Sequence, residues 1–249
     1  MFGAKDRADR VVLLRYMQMI FTFWEGKRPA YIELCFETWQ FDFVLLTFDN
    51  LNKYTELPVD GLKRFTLPQI ADCVRVHVLR DNGGTWIDAD TIVLGKLPNA
   101  PILGYPETRA NTIGYLNAKA NEQMYIEWAK HQERIINSCE PPLHWSVMGN
   151  DFTDDYLRKH TEIKIGDIKS RWPETYMIGG GAPRMNKYIR LYFGQNYHLK
   201  DFNKTDLLML HNSWTPQWYK ELTREEVRQQ NCTLSNILNE IYYHGRRPI

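Results

Sequence analysis

Short apolar runs alternate with amphipathic stretches over the first part of the chain. Met19–Trp24 is one apolar run, and Phe41–Phe48 is a second one, rich in aromatic and branched side chains. Between them, four apolar positions follow the i, i+3, i+4, i+7 spacing of one helical face: Ile32, Cys35, Phe36 and Trp39. A strand, a helix and a second strand in succession predict a βαβ unit.

A second helix is predicted over residues 67–80. The pair Thr66 and Gln69 has the spacing of a capping box, and Gly83 with Gly84 supplies a typical stop. Three valines inside the segment alternate with polar residues and leave a strand open as an alternative: Val74, Val76 and Val78. The two caps favour the helix.

The rest of the pattern completes an α/β layout. Strands are predicted at 85–88 and 207–210, helices at 1–17, 119–137 and 223–243, and irregular segments at 141–155 and 177–183. No repeat or Gly/Ser-rich linker divides the chain. We therefore predict one α/β domain over residues 1–249, with a mainly parallel central sheet flanked by helices.

Composition and charge narrow the function classes. The chain has 31 basic and 30 acidic residues, and its net charge of +1 excludes the strongly basic surface that drives nucleic-acid binding. No apolar run is long enough to predict a transmembrane helix, so the amphipathic N-terminus and Arg246-Arg247 allow at most peripheral membrane contact. Four scattered cysteines are typical of reduced thiols in a cytoplasmic protein.

The main chemical signal is Asp88-Ala89-Asp90, at the end of the strand that is predicted to begin at Thr85. In parallel α/β sheets, ligands bind outside the carboxyl ends of the strands. Two carboxylates at i, i+2 can approach one magnesium or manganese ion, and such ions also bind phosphate oxygens. The motif is a candidate metal and diphosphate site, and the alternative is a pair of solvated turn acids.

The residues around this motif carry a longer resemblance. Residues 71–93 read ADCVRVHVLRDNGGTWIDADTIV and resemble the D-x-x-R-x-x-x-L-x-x-x-G-G-x-[YW]-x-D-x-D segment of capsular polysaccharide synthesis and DXD-type sugar-binding glycosyltransferases. Residues 20–39 resemble the first strand and helix of that family, and the resemblance covers about residues 19–98. Residues 207–216 read LLMLHNSWTP and resemble a late H-x-x-x-SW element, with a shorter spacing.

The resemblance implies a GT-A fold with a nucleotide-sugar-binding half at 19–98 and an acceptor-side half at 99–249. It implies metal-dependent, retaining transfer of a hexose from a nucleotide sugar, by default a UDP-sugar, to a glycan or polysaccharide acceptor. The divalent metal would be held by Asp90, Asp88 and His211. The candidate catalytic residues are Asp88, Asp90 and, as a candidate nucleophile, Asp151. The candidate nucleotide-sugar contacts are Phe23, Trp24, Asp72, Arg75, Gly84, Asp88, Ala89 and Asn150.

Several of these residues also have an ordinary structural interpretation. Asp72 and Arg75 share a helical face and could be a structural ion pair, which at a surface is worth about 0–1 kcal/mol. His211 could be a structural histidine, and Asn150 with Asp151 could form an Asx-turn. Four tryptophans are unranked candidates for stacking on a sugar or base: Trp24, Trp145, Trp172 and Trp214.

Two other functions remain as alternatives. Asp88 and Asp90 also fit the paired aspartates of haloacid-dehalogenase-type phosphohydrolases, in which the first attacks phosphorus and the second is the acid/base. That motif normally lies near the N-terminus after a full hydrophobic strand, whereas here a βαβ unit precedes it. A catalytically inactive carbohydrate-binding protein on the same fold is the other alternative.

Overall fold

The computed structural model describes residues 19–167, 181–202 and 205–244. The helix predicted at 1–17, Trp172 and the Arg246-Arg247 pair lie outside these ranges. Of the segment predicted to be irregular at 177–183, the last three residues are described, and they begin a helix. No helix in the described ranges is both long enough and apolar enough to cross a membrane.

The secondary structure alternates between strands and helices. The strands are β1 (Ile20–Phe23), β2 (Val44–Leu46), β3 (Gly84–Ile87), β4 (Thr91–Val93), β5 (Ile102–Gly104), β6 (Asn111–Ala118), β7 (Ile165–Asp167) and β8 (Leu207–Met209). The helices are α1 (Ala30–Glu37), α2 (Val59–Leu62), α3 (Leu67–Asn82), α4 (Gln123–Ser138), α5 (Asn150–Lys159), α6 (Gly181–Phe193), α7 (Gln217–Lys220), α8 (Arg224–Gln229) and α9 (Thr233–His244). Short 3₁₀ turns cover Leu51–Lys53 and Leu199–Phe202.

A six-stranded sheet in the order β2-β1-β3-β6-β5-β7 forms the centre of the domain. Strand β1 pairs in parallel with both β2 and β3, and β5 pairs in parallel with β7. Strand β6 runs antiparallel to its neighbours β3 and β5, and β4 and β8 form a separate antiparallel pair. The predicted βαβ unit and the mainly parallel α/β class are both confirmed.

The two faces of this sheet are covered by two hydrophobic cores. Phe21 and Trp86 point into the core shared with α3, α4 and α5. Their chain neighbours Ile20 and Ile87 belong to the opposite core, which also contains α1, α6, α9 and the β4–β8 pair. This alternation is the period of two expected for strands that are buried on both faces.

The helix predicted at 67–80 is confirmed as α3, and the strand alternative is wrong. Thr66 and Gln69 form both halves of the capping box, so the backbone N–H groups of these two residues have partners. Gly83 ends the helix at φ 66°, a left-handed conformation that favours glycine. The capping residues at the two ends therefore indicated the correct structure, a helix rather than a strand.

Two other predicted boundaries are wrong. The segment predicted to be irregular at 141–155 ends in helix α5, which begins at Asn150 and buries an i, i+3, i+4 face: Thr153, Tyr156 and Leu157. The single helix predicted at 223–243 is two helices, although its Thr223–Glu226 capping box is confirmed. The N–H of Thr233 donates to the carbonyl of Gln195, 2.9 Å away, and this tertiary bond accompanies the break.

His77 on α3 should make the fold sensitive to mild acid. It is 2% exposed, and within the described ranges neither ring nitrogen has a hydrogen-bond partner. Burial, with a smaller effect of nearby Arg80, lowers its pKa from 6.5 to about 4. Between these values the unfolded chain binds a proton that the folded chain does not, so stability is lost as the pH falls.

We expect His77→Leu to remove this loss. By linkage, His77 should cost the wild-type fold about 1.4 kcal/mol per pH unit, or about 2 kcal/mol at pH 5. Urea denaturation of both proteins at pH 7.5 and pH 5 measures the difference. Equal losses on acidification in the two proteins would contradict the assignment.

Candidate active site

The candidate site lies at the carboxyl edge of two adjacent parallel strands. Trp24 follows β1 and Asp88 follows β3. The chain leaves β1 toward β2 on one side and reaches β3 on the other, so the edge between β1 and β3 is a topological switch point. Such points are where open α/β sheets bind ligands.

Arg75 connects the helix α3 with this edge. Its guanidinium lies 2.9 Å from Asp72 Oδ1 and 3.3 Å from Asp88 Oδ1, and it donates to the carbonyl of Ile113 at 2.6 Å. It also lies over the ring of Trp86, 5.2 Å from the centroid. The pair expected between Asp72 and Arg75 is therefore present, and it extends to the first aspartate of the D-x-D motif.

Two glycines make room for these carboxylates. A Cβ atom on Gly114 of β6 would lie 2.8 Å from Asp88 Oδ2, and one on Gly149 would lie 2.8 Å from Asp72 Oδ2. Both distances are shorter than a normal contact with a side-chain carbon. Neither glycine was predicted to be a site residue, because no local sequence pattern shows which strand or loop will face the aspartates.

Asp90 is held by the loop that follows β8. Its Oδ2 accepts the N–H of Asn212 at 2.7 Å, and its carbonyl accepts the N–H of Leu210 at 3.0 Å. The Asn212 side-chain oxygen in turn accepts the hydroxyl of the fully buried Tyr31 at 2.6 Å. Neither Tyr31 nor Asn212 was predicted to be a site residue, although the resemblance at residues 211–214 did indicate that this loop belongs to the site.

The carboxylates outnumber the cations paired with them. Burial and, to a smaller extent, the charge of Asp88 raise the pKa of Asp90 to about 7, although the Asn212 N–H opposes the rise. Burial also raises the pKa of Asp72 to about 7, against the effect of Arg75. Asp72 and Asp88 share the buried guanidinium of Arg75, and Asp90 adds a third carboxyl group nearby, so a cation entering the site would be stabilised.

His211 lies within electrostatic range of Asp88, and its role as a metal ligand stays a prediction. Its ring stacks on Trp214, with centroids 4.2 Å apart, and contacts the edge of Tyr188. Burial lowers the pKa of His211 to about 4, and the charge of Asp88 opposes this. Across the described part of the chain, no three His, Cys, Asp or Glu side chains are grouped so that they could hold a metal.

The remaining residues proposed to bind the nucleotide sugar lie at different places relative to the carboxyl edge of β1 and β3. Trp24 is half-buried at the end of β1, while the ring of Phe23 lies in the core and packs on Phe48 at 5.7 Å. Ala89 is buried in the opposite core. Gly84 begins β3, four residues before Asp88, and at a strand rise of about 3.3 Å per residue lies roughly 13 Å from it.

The structure does not bring Gly84 to the site, and it gives this glycine another role. A Cβ atom there would lie 2.3 Å from the carbonyl oxygen of Met19, and its φ is 101°. Both the close approach and the backbone conformation favour glycine. Gly84 therefore allows β3 to pair with the start of β1.

Asn150 and Asp151 begin α5 and do not form the Asx-turn considered above. Asn150 donates to the carbonyl of Asn111, at 3.2 Å, where β6 begins. Asp151 accepts the hydroxyl of Ser146 at 2.5 Å and lies 3.8 Å from His144. The structure thus places Asp151 in a polar cluster of its own, apart from the contacts of Asp88 and Asp90.

Comparisons with known proteins give the family of the chain. A family model described as capsular polysaccharide synthesis protein matches residues 7–177, more than half of the chain. The solved structure of PaToxG glycosyltransferase is similar over 64% of this chain and 78% of its own, with a TM-score of 0.41 and 14% identity. No protein of curated function matches the sequence. Of the interpretations above, the family match favours the transferase over the phosphohydrolase.

Proposed function

This chain belongs to the family of capsular polysaccharide synthesis proteins, and from that premise we propose that it is a metal-dependent glycosyltransferase. It would move a hexose from a nucleoside-diphosphate sugar to a glycan or polysaccharide acceptor. The observation that carries the proposal is the Asp88–Asp90 pair at the β1–β3 switch point, joined to Asp72 through Arg75. A UDP-sugar donor and retention of configuration are the finer parts, and both come from the family resemblance.

The chemistry of the donor set fits a divalent cation. Mg²⁺ usually takes one or two protein carboxylates and completes its shell with water and substrate phosphates. Asp90 and Asp88 supply such carboxylates, and the Asn212 N–H already orients that of Asp90. When bound, the cation would neutralise the charge that develops on the leaving diphosphate.

The chain's own residues would prepare the site before the donor arrives. The Asn212 N–H fixes the carboxylate of Asp90, and Arg75 fixes that of Asp88. Lys220 on α7 lies within electrostatic range of Asp90, whose charge opposes the lowering of the Lys220 pKa by burial. Its ammonium group would favour the diphosphate. Groups already oriented toward developing charge need little reorganisation during the reaction.

A thermal-shift experiment with nucleoside diphosphates and their sugars tests the proposal. With Mn²⁺ present, we expect one nucleotide at 100 times its dissociation constant to stabilise the fold by about 2.7 kcal/mol. For a chain of this length that is a rise in Tm of roughly 5–10 °C. EDTA should abolish the shift.

Two comparisons make the experiment decisive. Asp60→Asn replaces an exposed aspartate whose ion pair is with Lys63, and should leave the nucleotide shift unchanged. If no nucleotide shifts the melting temperature, and the protein hydrolyses p-nitrophenyl phosphate in a reaction that needs Asp88, the protein is a phosphohydrolase.

A further inference from the structure

Part of the loop between α4 and α5 is held in place by hydrogen bonds from neighbouring helices. We call this part, residues 144–149, the indole loop. Four side chains of α3 and α4 donate to its carbonyl oxygens: Gln69, Trp128, His131 and Gln132. Trp128 and Gln132 both bind the carbonyl of Met148, at 2.9 and 2.6 Å, and both are fully buried. The backbone of the loop is therefore ordered before any ligand binds.

This ordered loop presents a large aromatic side chain to solvent. Trp145 is 68% exposed and is the most exposed of the large hydrophobic side chains described. Of the other tryptophans considered for stacking, Trp24 packs against the core and Trp214 stacks on His211. Trp172 lies outside the described residues. The structure thus ranks Trp145 first as a surface for a ligand.

Polar groups are fixed beside this indole. The hydroxyl of Ser146, itself 3% exposed, donates to Asp151 Oδ1 at 2.5 Å and lies 2.7 Å from His144 Nδ1. It thereby holds the imidazole and the carboxylate side by side. Both side chains are more than half exposed, and the His144 ring lies 5.8 Å from the indole ring. The region beside Trp145 therefore contains two polar groups that can bind a ligand, the His144 imidazole and the Asp151 carboxylate.

The indole loop is also connected to the candidate active site. The side-chain nitrogen of Gln132 joins the carbonyl of Met148 to that of Asp72, at 2.6 and 2.9 Å. Gly149, at the end of the loop, lies against the Asp72 carboxylate. Asp72 pairs with Arg75, which pairs with Asp88. The indole loop is thus linked to Asp88 through Gln132, Asp72 and Arg75.

We propose that Trp145, His144 and Asp151 form the subsite that binds the carbohydrate acceptor. A sugar ring has apolar C–H faces and a rim of hydroxyl groups, so one face can stack on the indole while the rim bonds to the imidazole and carboxylate. The inference rests on the proposed function, because a transferase needs an acceptor beside its donor.

Binding to an array of oligosaccharides and bacterial polysaccharide fragments tests the subsite. We expect Trp145→Ala to weaken glycan binding at least about tenfold, in line with the loss of one aromatic stacking contact and its hydrogen-bonding neighbours. Trp145→Phe should retain most of the signal. Tyr243→Ala is the matched control, because Tyr243 is 67% exposed but lies on α9.

The nucleotide thermal shift, measured on the same variants, separates the two proposals. We expect all of them to keep the wild-type shift with Mn²⁺. Wild-type protein that binds no glycan, Trp145→Ala that binds as well as wild type, or loss of the nucleotide shift in Trp145→Ala would each overturn the acceptor subsite. Trp145-dependent glycan binding without any nucleotide shift would keep the subsite and overturn the transferase.

Discussion

Asp90→Asn should reduce the kcat/KM of sugar transfer by about 100- to 1,000-fold, the range seen when one electrostatic contact to a transition state is removed. The amide has the shape of the carboxylate and keeps one oxygen to accept the Asn212 N–H. It lacks the negative charge that a divalent cation needs. The loss should therefore appear in transfer and in metal-dependent nucleotide binding together.

The same variant should be no less stable than the wild-type protein at pH 7.5. Because burial raises the pKa of Asp90 to about 7, the folded chain binds a proton between pH 3.8 and 7 that the unfolded chain has released. The charged carboxylate thus costs folding stability as the pH rises, and a neutral amide removes this cost.

Transfer rates over a Mn²⁺ titration, with Tm measured alongside, check both expectations. Asp60→Asn again serves as the control, since it changes the same functional groups at an exposed position. Full turnover of Asp90→Asn at saturating Mn²⁺ would show that Asp90 is not a metal ligand. A large fall in its Tm would show that the role of Asp90 is structural.

The parts of the site that follow from local rules could be predicted from the sequence. The capping box at Thr66 starts α3, and the i, i+3 spacing then places Asp72 and Arg75 on one face. The βαβ pattern predicted the parallel pairing of β1 with β2, and the placement of the D-x-D motif at the end of a strand was also predicted. Each of these inferences uses residues close together in the chain.

The parts that depend on long-range contacts could not be predicted in this way. Asn212 contacts Asp90 across 122 residues, and Tyr31 contacts Asn212 across 181 residues. Gly114 faces Asp88 because β6 enters the sheet antiparallel beside β3, and β6 was not predicted as a strand. One sequence contains no pattern that selects these partners.

Gly84 is a motif position for which local packing supplies a reason of its own, and its predicted ligand role stays a prediction. Gly84 belongs to a motif that resembles the family's, but a glycine at the start of β3 is also required by the close approach to Met19. Position within a motif therefore does not separate a residue that binds substrate from one that shapes the strand leading to it.

Arg75→Ala should destabilise the fold by roughly 3–5 kcal/mol, the usual cost of removing one partner of a buried ion pair. The change leaves Asp72 without its cation, frees Asp88 Oδ1 from its charged partner and leaves the Ile113 carbonyl without its donor. The stability of Arg75→Lys should lie between those of the wild-type protein and Arg75→Ala, because one ammonium group cannot reach all three acceptors as a planar guanidinium does.

Urea denaturation at pH 7.5 measures this loss, and two further variants show its cause. Arg158→Ala removes an exposed arginine that lies 3.8 Å from Asp155, and should cost at most about 1 kcal/mol. Adding Asp72→Asn to Arg75→Ala should restore part of the stability, because the buried charge that lost its partner is then gone. If Arg75→Ala costs no more than Arg158→Ala, or if Asp72→Asn restores nothing, Arg75 does not hold the two aspartates in place, and the proposed preorganisation of Asp88 fails with it.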